Sequence, residues 1–245
     1  MAHDILNLAS YRFVALDDLA DMRQRLFDLA ATLSLKGSVL LAPEGINLCL
    51  AGPPAGAEAW LDALRTDLRF AGLEAKRSWS DTQPFKRLKV KIKREIIRMD
   101  QPAVRPAAGR APAVAATTLA RWITQGADDA GRPLKLLDTR NGFEVEAGAF
   151  EGAVNWRLQK FSDFPAALQA HQAELAGHTV VSYCTGGIRC EKAALVMQAL
   201  GLAHSYQLDG GILKYFEDTA GLAPGWQGRC FVFDQRAGLD TALAA

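Results

Sequence analysis

Val180-Val181-Ser182-Tyr183-Cys184-Thr185-Gly186-Gly187-Ile188-Arg189-Cys190 carries a strand, a tight turn and the start of a helix in one short run. The first four residues form a buried strand, the two glycines turn the chain, and Ala194, Val196, Met197 and Leu200 follow as the buried positions of a helix. Cys184 is thereby delivered at a strand's carboxyl end and wrapped by backbone N–H groups at a helix N-terminus. Unpaired amides and the helix dipole favour an anion, so thiolate is expected near neutral pH. Gly186 and Gly187 let the backbone curl around the sulfur without Cβ clashes, and Arg189 adds a fixed positive charge suited to an anionic group near it. An isolated cysteine is more often a buried structural residue. The strand–Cys–Gly–Gly–Arg–helix context reverses that preference and makes Cys184 the expected catalytic thiolate.

Working outward, helices alternate with short apolar strands: helix Leu119 to Gln125, strand Leu134 to Thr139, helix Phe164 to Leu175, strand Thr179 to Cys184, helix Cys190 to Leu200 and strand Ser205 to Leu208. This alternation predicts a parallel α/β sheet with its reactive loops at the strands' carboxyl ends. Upstream, a strand at Tyr11 to Leu16 precedes a helix capped by Asp17, with Leu19, Met22, Leu26, Leu29 and Leu33 at helical spacing. Strands at Gly37 to Ala42 and Ile46 to Ala51, a helix from Ala57 to Phe70 and a strand from Leu73 to Trp79 complete the order β-α-β-β-α-β. That order is the split βαβ arrangement of ferredoxin-like domains. A further strand is expected over Leu88 to Arg98. The Pro- and Ala-rich stretch from Gln101 to Ala116 reads as a linker. The expected domains are therefore 1–100, α+β, and 117–227, α/β, with a tail over 228–245.

The N-terminus Met1-Ala2-His3-Asp4 lacks the pattern of a signal peptide, and no apolar run approaches the ~20 residues of a membrane span. A cytoplasmic protein without a membrane partner is expected. Cys49, Cys184, Cys190 and Cys230 include no CxxC pair, so they are read as reduced thiols, with Cys49 and Cys230 structural. His3, His171, His178 and His204 show no metal-ligand spacing, and no metal is expected. Net charge is +1, yet Lys86 to Arg94 carries six positive residues and no negative one, which leaves the rest of the chain at −5. Within it, Arg87, Lys89, Lys91 and Lys93 share one strand face, opposite Leu88, Val90 and Ile92. Such a stripe is either a guarded sheet edge or a track for a phosphate backbone, with Trp79 and Phe85 as nearby stacking surfaces. RNA is the most economical large anionic partner; no obligate protein partner is identifiable.

The loop Cys184-Thr185-Gly186-Gly187-Ile188-Arg189 resembles the six-residue active-site loop of the rhodanese superfamily, which carries sulfur as a cysteine persulfide. Related phosphatases use a loop one residue longer. Leu137-Asp138-Thr139-Arg140 with Glu144, Gly152-Ala153-Val154-Asn155 and Leu208-Asp209-Gly210-Gly211-Ile212 are similar to other rhodanese elements. Asp138 and Arg140 are read as architecture, because unpaired buried charge is costly. The whole chain resembles a bacterial family of rhodanese-domain proteins that hydroxylate the wobble uridine of tRNA to 5-hydroxyuridine. The resemblance rests on Leu40-Leu41-Ala42-Pro43-Glu44-Gly45-Ile46-Asn47, on Cys184 to Lys192 and on Cys230-Phe231-Val232-Phe233-Asp234. It implies a ferredoxin-like (acylphosphatase-like) α+β domain followed by a rhodanese-like α/β domain, tRNA as partner, and molecular oxygen as co-substrate.

No flavin fingerprint, haem ligand pair or iron triad is visible, so no cofactor is identifiable. The Cys184 thiolate is expected to add to C6 of uracil and activate C5, with Arg189 and the loop amides binding the anionic oxygen. A sulfurtransferase carrying a Cys184 persulfide is the alternative, and a non-catalytic RNA-binding protein a third reading. Cys190, six residues on, is either a second redox thiol or an incidental helix residue.

Overall fold

The protein is described here from a computed structural model over residues 4–245. Met1, Ala2 and His3, which entered the readings of the N-terminus and of the histidines, lie outside the described residues. The chain divides into a first unit running to Ile97, together with Phe233–Arg236 and Ala244–Ala245, and a second of Arg98–Val232 and Ala237–Leu243.

In unit 1, β1 (Ile5–Phe13) and α1 (Leu19–Thr32) are followed by β2 (Lys36–Ala42), β3 (Gly45–Gly52), α2 (Pro54–Arg65), β4 (Lys76–Ser80) and β5 (Leu88–Ile92). The sheet order is β4-β1-β3-β2-β5, antiparallel throughout except for the parallel β2–β5 pair. Leu6, Leu8, Val39, Leu41, Leu48 and Leu50 alternate onto one face, where Met22 and Leu26 of α1 and Trp60 and Leu61 of α2 cover them. The helix expected to reach Phe70 stops at Arg65, because the Asp67 carboxylate accepts the Arg69 amide at 3.0 Å and caps a separate 3-10 turn at Leu68–Phe70. β5 is likewise shorter than expected. After it, Ile96 leaves the sheet and is tied down by the Glu44 carboxylate, which accepts its amide at 2.8 Å, and by Asn47, which donates to its carbonyl at 3.2 Å. Ile92, assigned by alternation to the core face, is 43% exposed because it ends an edge strand.

Unit 2 contains β6 (Ala113–Val114), α3 (Ala116–Gln125), β7 (Leu134–Asp138), α4 (Gly142–Ala147), β8 (Gly148–Phe150), α5 (Phe164–His171), β9 (Thr179–Tyr183), α6 (Ile188–Ala199), β10 (Ser205–Leu208), α7 (Gly211–Asp218), β11 (Trp226–Gly228), β12 (Cys230–Phe231) and β13 (Gly238–Leu239). Its parallel sheet has the order β6-β10-β9-β7. The end of the expected linker is thus part of the sheet, since a two-residue strand is too short to show a period. Phe150 centres the core, with Tyr183, Tyr215 and Trp226 edge-on at 4.9, 5.0 and 5.2 Å. Residues 228–245 are also no loose tail. β12 pairs with β13, Cys230 and Leu239 are buried in unit 2, and within unit 1 Arg236 donates to Ser78 Oγ at 2.7 Å. No helix among the described residues is long and apolar enough to cross a membrane.

Candidate active site

β9 is buried at all five positions and ends directly before Cys184, while α6 begins at Ile188. Thr185, Gly186 and Gly187 make the turn, with Gly187 at φ 101°, a left-handed conformation that favours glycine. The Gly187 amide donates to Cys184 Sγ at 3.2 Å. From behind, the first amides of α7 hold the loop: Ile212 N–H donates to the Cys184 carbonyl at 2.9 Å and Leu213 N–H to that of Thr185 at 3.1 Å. Gly211 makes this approach feasible. At φ +70°, a Cβ there would stand 2.4 Å from the Cys184 carbonyl oxygen and 2.6 Å from the Gly187 nitrogen.

Burial pushes the Cys184 thiol up, but the Cys190 thiol, the Arg189 guanidinium and the amides of Cys190 and Arg189 together bring it down to about 5. Cys184 is therefore a thiolate at neutral pH. The Cys190 sulfur lies 4.0 Å away, and both residues are fully buried. The single Cys190 proton has three acceptors in reach, the Cys184 sulfur, the Gly187 carbonyl at 3.0 Å and the Leu208 carbonyl at 3.9 Å. Burial and the neighbouring Cys184 push the Cys190 thiol well up, which keeps it a donor.

Arg189 does not present an open fork to the loop. Its Nη1 and Nη2 donate to the two Glu144 carboxylate oxygens at 2.6 and 2.7 Å, in a pair buried on both sides. Its charge acts on the sulfur, while each terminal nitrogen gives a hydrogen bond to Glu144. A thiolate cradled by amides and backed by a buried, neutralised arginine is suited to nucleophilic attack on an electron-poor carbon or on sulfur.

Known proteins resemble both units of the chain. Residues 5–96 match the family described as UPF0176 acylphosphatase like domain, and residues 116–218 match the rhodanese-like domain. A protein of Bordetella petrii named tRNA uridine(34) hydroxylase is 61% identical over 240 residues, covering 98% of this chain and 94% of the relative. The chain belongs to the tRNA uridine(34) hydroxylase family. Relatives of the same name in Variovorax paradoxus and Burkholderia pseudomallei are 58% and 53% identical, over 99% and 98% of this chain and 91% and 81% of their own lengths.

In this member of the hydroxylase family, Asp138 and Arg140 form a second buried pair. Arg140 donates to Asp138 through Nε at 2.9 Å and Nη2 at 2.6 Å, and Nη2 also reaches the Gly148 carbonyl at 2.7 Å. The Arg140 side chain thereby staples the end of β7 to the end of α4, beside Glu144. The partnership of Glu144 with Arg189 is not legible in the sequence; its one local signal is its place at the third position of α4, where its Oε1 also accepts the Asn141 amide at 3.1 Å. Phe143 was missed as well. It is 49% exposed and packs edge-on against Phe231 at 5.2 Å, and the Phe231 carbonyl accepts Thr185 Oγ1 at 3.4 Å, so an aromatic pair adjoins the loop.

Arg87, Lys89, Lys91 and Lys93 belong to unit 1. Lys89 and Lys91 stand opposite Ser38 and Leu40 of β2, on the sheet face turned away from α1 and α2. Among the described residues none of the four is paired with an acid. Trp79 does not accompany them: β4 and β5 are the two opposite edges of the sheet, about 19 Å apart at strand spacing. Cys230 is buried, which pushes its thiol up to about 12, and Cys49 stands exposed on β3.

Proposed function

We propose that this chain is a cytoplasmic tRNA-modifying enzyme that hydroxylates uridine 34, the wobble uridine, to 5-hydroxyuridine with molecular oxygen as co-substrate. The observation that carries the reading is the Cys184 thiolate held in an amide cradle, in a chain that matches the hydroxylase family along nearly its whole length. Cys184 Sγ adds to C6 of the uracil ring, which places enolate character on C5, the carbon that meets oxygen. The amides of Gly187, Arg189 and Cys190 and the Arg189 charge offset the anion that moves from sulfur to the ring. Because Cys184 is fully buried, the loop rim must yield before a ring reaches the sulfur. Phe143 offers an apolar surface there for an unstacked base. The unpaired cations of β5 offer a track for the phosphate backbone.

The test is nucleoside analysis of tRNA from a deletion strain complemented with wild type or with Cys184→Ala. Wild type restores 5-hydroxyuridine and the variant does not; unchanged tRNA in the deletion strain would sink the reading. The sulfurtransferase alternative draws on the same low thiol pKa. A Cys184 persulfide that turns over after a thiosulfate challenge, in protein that makes no 5-hydroxyuridine, would favour it instead.

A further inference from the structure

We propose that Cys190 is a second catalytic thiol, which together with Cys184 supplies the two electrons that turn the second atom of O2 into water. The inference rests on the hydroxylase reading above. Replacing the C5 hydrogen by hydroxyl uses one oxygen atom, and the other leaves as water only with two electrons and two protons. A Cys184 sulfur bonded to C6 cannot donate them while the adduct lasts. The neighbouring sulfur can: it lies 4.0 Å from Cys184 Sγ, fully buried, in the first turn of α6.

The steps balance. Cys184 Sγ bonds to C6, and the C5 carbanion with O2 and a proton gives a C5 hydroperoxide. The Cys190 sulfur attacks its distal oxygen; the O–O bond breaks, leaving hydroxyl on C5 and a sulfenic acid on Cys190. Loss of the C5 proton breaks the C6–S bond and releases 5-hydroxyuridine and the Cys184 thiolate. That thiolate displaces hydroxide from the Cys190 sulfenic acid, so that an S–S bond forms and water leaves. The sum is uridine, O2 and two thiols giving 5-hydroxyuridine, one disulfide and water. An external small thiol then reduces the disulfide by exchange.

Two features of the loop suit this sequence. Forming the bond brings the sulfurs from 4.0 Å to about 2 Å, and the two glycines of the intervening turn, Gly186 and Gly187, give the backbone freedom to take up that shortening. Adduct formation also converts Cys184 from an anion to a neutral thioether. Burial and Glu191 still push the Cys190 thiol up, but the hydrogen bond and the charge of Cys184 no longer do, and the Arg189 charge pulls it down.

The experiment uses fully reduced wild-type protein, freed of small thiols and given tRNA and air. The expected result is a single burst of one 5-hydroxyuridine per chain, with one Cys184–Cys190 disulfide per product by peptide mass spectrometry, and continued turnover once dithiothreitol is added. Cys190→Ser and Cys190→Ala lose the burst, while both still form the Cys184 adduct with 5-fluorouridine-substituted tRNA, which shows that the loop is folded. Repeated turnover without thiol, product with both cysteines recovered as thiols, or a wild-type burst in Cys190→Ser would each overturn the inference. No 5-hydroxyuridine from wild type given both air and dithiothreitol would overturn the hydroxylase reading and the inference with it.

Discussion

The Cys184 loop and the β5 edge both depend on positive charge, and they treat it in opposite ways. Around the loop, Arg189 and Arg140 are buried and each is matched by a carboxylate, Glu144 or Asp138. On β5 and at its two ends, Arg87, Lys91 and Lys93 are exposed, and among the described residues neither they nor the half-buried Lys89 have an acidic partner. Buried charge must be paired in place, because an uncompensated ion in a low-dielectric interior is costly. Exposed charge costs little to leave free, and remains available to a mobile polyanion. The first arrangement fixes charge beside one sulfur; the second leaves charge in solvent.

The largest effect expected from this contrast is at the buried pair. Glu144→Gln leaves the buried Arg189 charge without its carboxylate, and should cost about 3–5 kcal/mol in urea denaturation, with loss of hydroxylation. A variant as stable as wild type would mean that the pair is not what holds the loop. Gly211→Ala should come next. Its methyl would press on the Cys184 carbonyl at a left-handed φ, for an expected loss of about 1–3 kcal/mol and slower alkylation of Cys184.

A third measurement sharpens the electrostatics of the loop. Because the Cys184 thiol titrates below its ordinary value, thiolate is present at neutral pH and is lost as pH falls through about 5. Iodoacetamide alkylation of Cys184 should therefore be level across neutral pH and fall with a midpoint near that value. In Cys190→Ala the midpoint should move upward, since one donor to the thiolate is gone; an unmoved midpoint would remove Cys190 from the electrostatics. The smallest effect is expected on β5. Lys89→Ala and Lys91→Ala should each lower the slope of log affinity for tRNA against log salt by roughly 0.7 to 0.9. Turnover at saturating tRNA should be unchanged. A large fall in turnover from either variant would erase the contrast between the two regions.

Much of this arrangement is legible along the chain. The run from Val180 to Arg189 announces a strand, a tight turn and a helix, and that local succession is enough to put a cysteine at an anion-stabilising helix end. The β-α-β-β-α-β order of unit 1 is equally local, written in two alternating periods. Short elements were not legible: β6 and β12 are two residues each, too few to show a period. Nor was the end of α2, where Asp67 turns its carboxylate onto a nearby amide and stops a run that is otherwise helical in pattern.

By itself, then, the sequence determined which residues are apolar, where the chain turns, and that Cys184 and Arg189 share one loop. Tertiary structure alone decided what that loop touches. Glu144 meets Arg189 from 45 residues away, the amides of α7 grip the loop carbonyls from behind, Cys190 comes to rest 4.0 Å from the Cys184 sulfur, and Trp79 goes to the far edge from β5. Periodicity records burial along one element. Pairing between elements is set only when sheets close and buried charges must find partners, and here that step tunes the thiolate and brings a second sulfur to it.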